Sequence, residues 1–221
     1  MAQNVDIAAD LERVHGAITR ALEVSVENSA KFINKTPADI ELQGFTMFLD
    51  CFITFLEGHH EIEDNIAFPF FKDKLPETPY EKLKAEHREM VSILKQIDEA
   101  NQHLKEAENI GTAARALNKH LTQLQKIWYP HIESEETHLC GECICSVVPQ
   151  IDQDKLVARF GDHSRQHSKP AQLVLPFVLY NMPPEVRSIF AKGIPWIVTG
   201  LLIPYIWKSK WRPMKPYFLP H

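Results

Sequence analysis

The sequence predicts an all-α protein. An up-down-up-down four-helix bundle occupies residues 1–145, and a helical C-terminal extension, residues 146–221, packs on it and is placed to act as a lid. Three observations predict this. Four segments repeat apolar residues at steps of 3 and 4, the spacing that keeps side chains on one face of an α-helix. Short breaks rich in Pro, Asn, Thr and Gly separate them. No stretch alternates apolar and polar residues as a half-buried strand would.

The first helix covers about residues 6–33, with Leu11, His15, Ile18 and Leu22 in step. Asn34-Lys35-Thr36-Pro37 breaks it, and Thr36 is placed to cap the next helix with Pro37 at its first position. The second helix covers about 37–68 and ends near Phe68-Pro69; Phe45, Leu49, Phe52, Leu56, His59 and Glu63 share its inward seam. Leu75-Pro76-Glu77-Thr78-Pro79 is a loop, with Thr78-Pro79 as a second cap-plus-proline start. The third helix follows over about 79–107, with Leu83, His87, Met90, Leu94 and Ile97 in step. Asn109-Ile110-Gly111-Thr112 ends it. The fourth runs over about 112–139 with Leu117, Leu121, Leu124, Trp128, His131 and Glu135 in step, and stops near Gly141.

Short loops make sequential helices antiparallel neighbours. His15 and His87 lie near helix starts; His59, Glu63, His131 and Glu135 lie near helix ends. In an alternating bundle all six share one end. Bare imidazoles and carboxylates turned to an apolar core are costly, and a metal centre is the simplest compensation. The set is too large for one tetrahedral zinc and too rich in nitrogen for calcium or magnesium. It suits two iron or manganese ions. His15, His59, His87 and His131 are then terminal ligands, and Glu63 and Glu135 bridge. An oxo or hydroxo bridge completes most of the shell and leaves an open position for dioxygen or water. Manganese or zinc can replace iron in such a set, with availability deciding. Glu61, Glu133 and Glu136 read as solvated or as outer partners of the ligands, His60 as a flank residue, and His103 and His120 as surface residues. His138 lies on the fourth helix's seam.

The chain resembles the hemerythrin-like (HHE) domain proteins. The resemblance rests on His15, on His59-His60-Glu61-Ile62-Glu63-Asp64 running into Phe68-Pro69, on Glu86-His87, and on His131-Ile132-Glu133-Ser134-Glu135-Glu136, and covers about residues 5–140. It implies a non-haem di-iron centre that handles dioxygen or senses iron and oxygen. Oxygen-carrying hemerythrins have a second histidine one turn along the third helix. Here the positions four before and four after His87 are Leu83 and Val91. A missing fifth imidazole opens coordination, and looks more like the iron-sensing or oxygen-activating members.

Beyond the bundle, residues 152–166 read as a fifth helix carrying His163-x3-His167, a ligand spacing outside a set the four helices already complete. Cys140-x2-Cys143-x-Cys145 has no second Cys-x2-Cys, so it reads as an ordinary loop rather than a zinc or redox site. Cys51, inside the second helix, reads as a small apolar residue. Residues 171–180 are mostly apolar, and Pro183-Pro184-Glu185 opens a short helix. The apolar run Ile194 to Trp207 is too short to span a bilayer. Lys208, Lys210, Arg212 and Lys215 follow it, but packing on the bundle is preferred to attachment at a membrane surface.

A net charge of −5 argues against nucleic acid as a partner. Met1 to Asp10 lacks the basic and apolar regions of a secretory signal, and with only four cysteines the expectation is a reducing, cytoplasmic setting. A wall of helices beside a metal pair suits an enzyme that holds a small organic substrate away from water. The sequence thus favours a di-iron oxidoreductase that activates dioxygen to oxidise such a substrate. The rival is a non-catalytic hemerythrin-like protein that binds, senses or stores iron or oxygen.

Overall fold

A computed structural model describes residues 6–219; of the stretch read for a signal, Met1 to Val5 lies outside the described residues. Among the described residues the secondary structure is helical throughout, with no strand. Four long helices dominate: α1 (Ile7–Asn34), α2 (Asp39–Ile62), α4 (Tyr80–Glu106) and α5 (Ile110–His138). Helix α5 packs along α1 and α4, and α2 packs on α4 and α1, so the four enclose a common core. Lateral hydrogen bonds set their relative depth. Asn118, early in α5, donates to Val26 O and Ser29 Oγ, late in α1. Asn101, late in α4, donates to Thr46 O and Asp50 Oδ1 in the first half of α2.

Helix starts are set partly as expected. Asp6 accepts from Ala9 N, and Asn109 from Thr112 N, the N-cap bonds that satisfy orphan donors. Thr36 and Thr78 do not cap. Helix α2 begins at Asp39 after Ala38, and α4 begins after Pro79, neither with a side-chain cap bond. A residue before proline is pushed out of the helical region, so each helix starts past its Thr-Pro pair. Asp39 and Glu41, or Glu81, then sit in the first turn, where negative charge meets the positive end of the helix dipole.

The second helix does not run unbroken to residue 68. It changes at Glu63 into a wide π turn, Glu63–Ala67, then resumes as α3 (Phe68–Phe71). Pro69 explains the need for a break: it has no N–H to give to a carbonyl four residues back. In the first turn of α3 that donor is not missed.

Two apolar clusters fill the molecule. One holds Ile18, Leu22, Leu56, Met90, Leu94 and Trp128 with much of the extension. The other holds Ile7, Leu11, Phe68, Leu83 and Leu139. On every long helix the His and Glu positions fall between the two. His15 lies between Leu11 and Ile18, and His87 between Leu83 and Met90. His131 and Glu135 lie between Trp128 and Leu139.

The extension divides likewise. Helices α6 (Gly141–Val147) and α7 (Gln150–His167) cover the second cluster through Ile144, Val148 and Leu156. The expected loop at Cys140–Cys145 is thus largely helical, because α6 has an apolar stripe to bury on α1. Cys140 and Cys143 are disulfide-bonded there, Cys145 is exposed, and Cys51 is buried in α2. Helix α8 (Ala171–Asn181) returns along α2, with Phe177 against Phe48 and Phe55. After α9 (Pro184–Phe190) and a π-helical stretch, Val198–Ile206, come α10 (Lys208–Trp211) and a 3-10 segment, Arg212–Tyr217, laid on α2. Tyr217 packs on Phe45 and Phe48, and its hydroxyl donates to Glu41 O. Gly44 is required here: a Cβ on it would run into the Pro213 carbonyl.

The apolar run at 194–207 packs only in part. Ile203 is buried, whereas Trp196 and Tyr205 are exposed. Among the described residues no single helix is long and apolar enough to cross a membrane. Pro184–Gly193 and Val198–Ile206 have the length and composition only as a pair, and that pair is bent by 115°.

Candidate metal centre

All six in-register residues meet in one layer. His15, His59, His87, His131, Glu63 and Glu135 are each between 0% and 6% exposed. Glu63 holds its two oxygens apart: Oε1 lies 3.0 Å from His59 Nε2 and 3.6 Å from His15 Nε2, while Oε2 lies 3.5 Å from His87 Nε2. Glu135 Oε2 sits between the two sides, 3.6 Å from His15 Nε2 and 3.7 Å from His131 Nε2. The His87 and His131 Nε2 atoms are 3.1 Å apart.

His60 belongs to this layer too. The flank position expected for it is wrong: it is 2% exposed, and its ring stacks on His87 with centroids 4.2 Å apart. One donor atom each from His60, His87 and His131 falls within 4.8 Å of the others, as does a second group of His15, His59 and Glu63. The signal was present. Leu56, His60 and Glu63 step by 4 and 3, and a core-facing stripe is wider than a single seam. A fifth imidazole thus reaches the layer from the second helix, where the third offers only Leu83 and Val91 beside His87.

Three imidazoles are oriented from behind. His15 Nδ1 lies 2.9 Å from Glu136 Oε1, His87 Nδ1 2.9 Å from Asp64 Oδ1, and His131 Nδ1 2.9 Å from Glu86 Oε2. A carboxylate on Nδ1 fixes the tautomer that turns a bare Nε2 inward and raises its basicity. Glu136 was expected as a solvated or outer residue and acts as the latter. Asp64 and Glu86 were not assigned this role from sequence. Local irregularities sit beside the donors: the π turn begins at Glu63, and Pro130 interrupts α5 just before His131. His138 bonds Ser134 O in its own helix instead of reaching the layer. Glu61 turns outward toward α7. Trp128 walls the His15 side and donates its indole N–H to Thr19 Oγ1.

Burial sets the charge states. It pushes His59 and His60 well below the ordinary histidine value, with neighbouring imidazoles adding to the effect. His131 falls to about 4, mainly through burial and then through His87. Glu63 is pushed up to about 8 by burial. Glu135 rises well above the usual carboxylate range, through burial first and the facing Glu63 second. His59, His60 and His131, all held toward the neutral form, thus face two carboxyls that resist ionisation.

The donors fit a cation. His15 Nε2, His59 Nε2, both His60 nitrogens and all four oxygens of Glu63 and Glu135 are buried with no hydrogen-bond partner. A buried unsatisfied polar group costs about 1–3 kcal/mol. Several together rival a typical total stability of about 5–15 kcal/mol. Metal ions would relieve all of them except one His60 nitrogen, since a ring presents only one nitrogen to the pair, and mixed imidazole and carboxylate donors suit iron, manganese or zinc.

A groove of about 450 Å³, lined by Leu42, Thr46, Met47, Asp50 and Lys105 among others, lies at the start of α2 and the end of α4, away from this layer.

The sequence model of one protein family, described as Hemerythrin HHE cation binding domain, matches residues 6–143. No curated protein and no solved structure matches the chain.

Proposed function

Because the chain belongs to the hemerythrin HHE cation-binding family, we propose that its bundle, with up-down-up-down topology, holds two iron ions in the His/Glu layer and serves as a non-catalytic centre for dioxygen. The observation that carries this reading is the set of orphaned, inward-facing donor atoms on His15, His59, His60, Glu63 and Glu135. One ion falls to His15 and His59, the other to His60, His87 and His131. Glu63, which offers a separate oxygen to each side, and Glu135, set between His15 and His131, are shared. An iron pair so held would supply reversible two-electron chemistry toward dioxygen, one electron from each ion, returned when dioxygen leaves.

The protein's own part is to shape and dry the site. The His15–His59 side has fewer donors, so room for an outside ligand lies there. Glu136, Asp64 and Glu86 hold three rings in place. The second apolar cluster and α7 close the end, so a diatomic reaches the layer far more easily than an organic molecule does. That closure, and the fifth imidazole, favour binding, sensing or storage over oxygenation.

One observation favours a catalytic second reading: the chain adds helices beyond the family match at residue 143, and one of them, α7, packs on α2 and on the π turn that begins at Glu63. Elemental analysis with anaerobic reduction and oxygen readmission tests both. About two irons per chain, with oxygen taken up and returned under vacuum, supports the binding centre. Oxygen consumed together with an organic co-substrate establishes the oxidase. A protein that retains no metal overturns the proposal.

A further inference from the structure

We propose that Glu61, His163 and His167 form a second metal site, on the surface, for a divalent transition cation such as zinc, and that this site clamps α7 to α2. It does not depend on what the buried layer holds.

His163 and His167 lie four apart on α7 and so share one face of that helix. Their rings stack with centroids 4.1 Å apart and planes 11° from parallel. Glu61 comes from α2, and its Oε2 lies 3.8 Å from His163 Nε2 and 3.6 Å from His167 Nδ1. One donor atom from each of the three falls within 4.8 Å of the others. Donors arranged tetrahedrally about zinc at about 2.1 Å stand about 3.4 Å from one another, within a few tenths of an ångström of the two Glu61 contacts, and the stacked rings must turn about their side-chain torsions to aim both nitrogens at one ion. His167 is 48% exposed on its side chain and Glu61 52%, so both can make that adjustment and the cation has an entry path.

The simpler account is a surface ion pair. It fits the geometry less well. The contacts are longer than hydrogen bonds. For Glu61 to pair with both rings, both must be protonated, which places two like charges face to face about 4 Å apart, a repulsive arrangement. Two neutral imidazoles and one carboxylate gathered within reach of one ion form instead a three-ligand set that leaves one position to water, the composition of an open zinc site.

The placement gives the site a consequence. Glu61 lies one residue after His60 and two before Glu63. Helix α7 packs on α2 and on the π turn that follows it. A cation bound outside therefore fastens the covering helix to the strip of α2 that carries three buried donors.

The test is zinc titration of iron-loaded, full-length protein alongside the His163→Ala/His167→Ala double variant, counting both metals. The expected result is about one additional zinc per wild-type chain, with iron content equal in the two proteins. His167→Ala alone, at a half-exposed position that folding does not need, should weaken zinc binding by more than the roughly 10- to 100-fold seen for outer-shell partners. Zinc should slow hydrogen exchange in α7 of the wild type and not of the variants. Equal zinc uptake by wild type, single variant and double variant overturns the site. The readout is a difference between proteins with the same buried layer, so failure of the iron reading would alter all of them alike and stays distinguishable.

Discussion

The two His/Glu groups of this protein use the same residue types at the same helical spacing, but differ in what surrounds them. His59, His131 and their glutamates are sealed between apolar clusters, and three of the rings beside them are braced by carboxylates. His163 and His167 brace only each other, and half of His167 faces solvent. Donors that are buried make a site the fold needs filled. Donors that are exposed can lose their ion and regain water.

That difference predicts the largest effect. Chelating the inner metals should cost about 3 kcal/mol per ion for a metal held near 100-fold above its dissociation constant. At about 2–4 °C per kcal/mol for a chain of this size, the melting temperature should fall by at least about 10 °C in calorimetry. Replacing His167 with Ala in zinc-free protein should move it by no more than about 1–2 °C, since surface changes stay within about 0.5 kcal/mol. Equal shifts would erase the distinction.

Next in size is His60→Ala. A flank histidine would be silent. A donor on the three-imidazole side should weaken inner metal binding by about 100-fold or more, beyond the range of an outer-shell loss. Competition with a calibrated chelator measures it.

Asp64→Asn, Glu86→Gln and Glu136→Gln should each cost about 10- to 100-fold in inner metal affinity while leaving the fold intact. Glu136, with 37% side-chain exposure, should show the smallest loss. The outer site, which has no such braces, should not respond.

The smallest effect is in pH. Glu63 is raised from 4.5 to about 8, so the metal-free folded state holds a proton that the unfolded state has lost. Its contribution to metal-free stability is present below about 4.5 and fades as pH rises through about 8. Metal must displace that proton and the one on Glu135, so inner affinity should rise by up to about tenfold per pH unit for each, the Glu63 part levelling off at about 8. His131, lowered to about 4, is already neutral across that range and releases nothing. Proton release measured during metal uptake checks this.

Much of the bundle was legible because burial imposes a period on sequence. Leu11–His15–Ile18–Leu22 and its three counterparts mark the inward stripe directly, and the meeting of six donors follows from helix lengths and short connections. His60 was missed because a rule that keeps one residue per turn discards its neighbour, although Glu63 lies three residues on and Leu56 four back. Asp64 and Glu86 were missed for another reason. They touch their histidines from adjacent helices, so no spacing within one helix reveals them. The π turn at Glu63–Ala67 leaves only Pro69 as its trace. The extension was the least legible part. Its helices are short, and Trp211, Tyr217 and Phe218 find their places by packing on α2 and α8 rather than by any repeat of their own.

The seat of that C-terminal segment has a consequence for how the protein is made. Arg20 donates to the carbonyl of Tyr217, 197 positions away, and Tyr217 reaches Glu41 across 176. A ribosome adding about 5–20 residues per second finishes the bundle several seconds before those partners exist. Throughout that interval the nascent bundle shows Phe45 and Phe48 without their covering, whereas α7, complete at His167, is made early in it. The histidine end therefore receives its covering helix before the start of α2 receives the C-terminal segment.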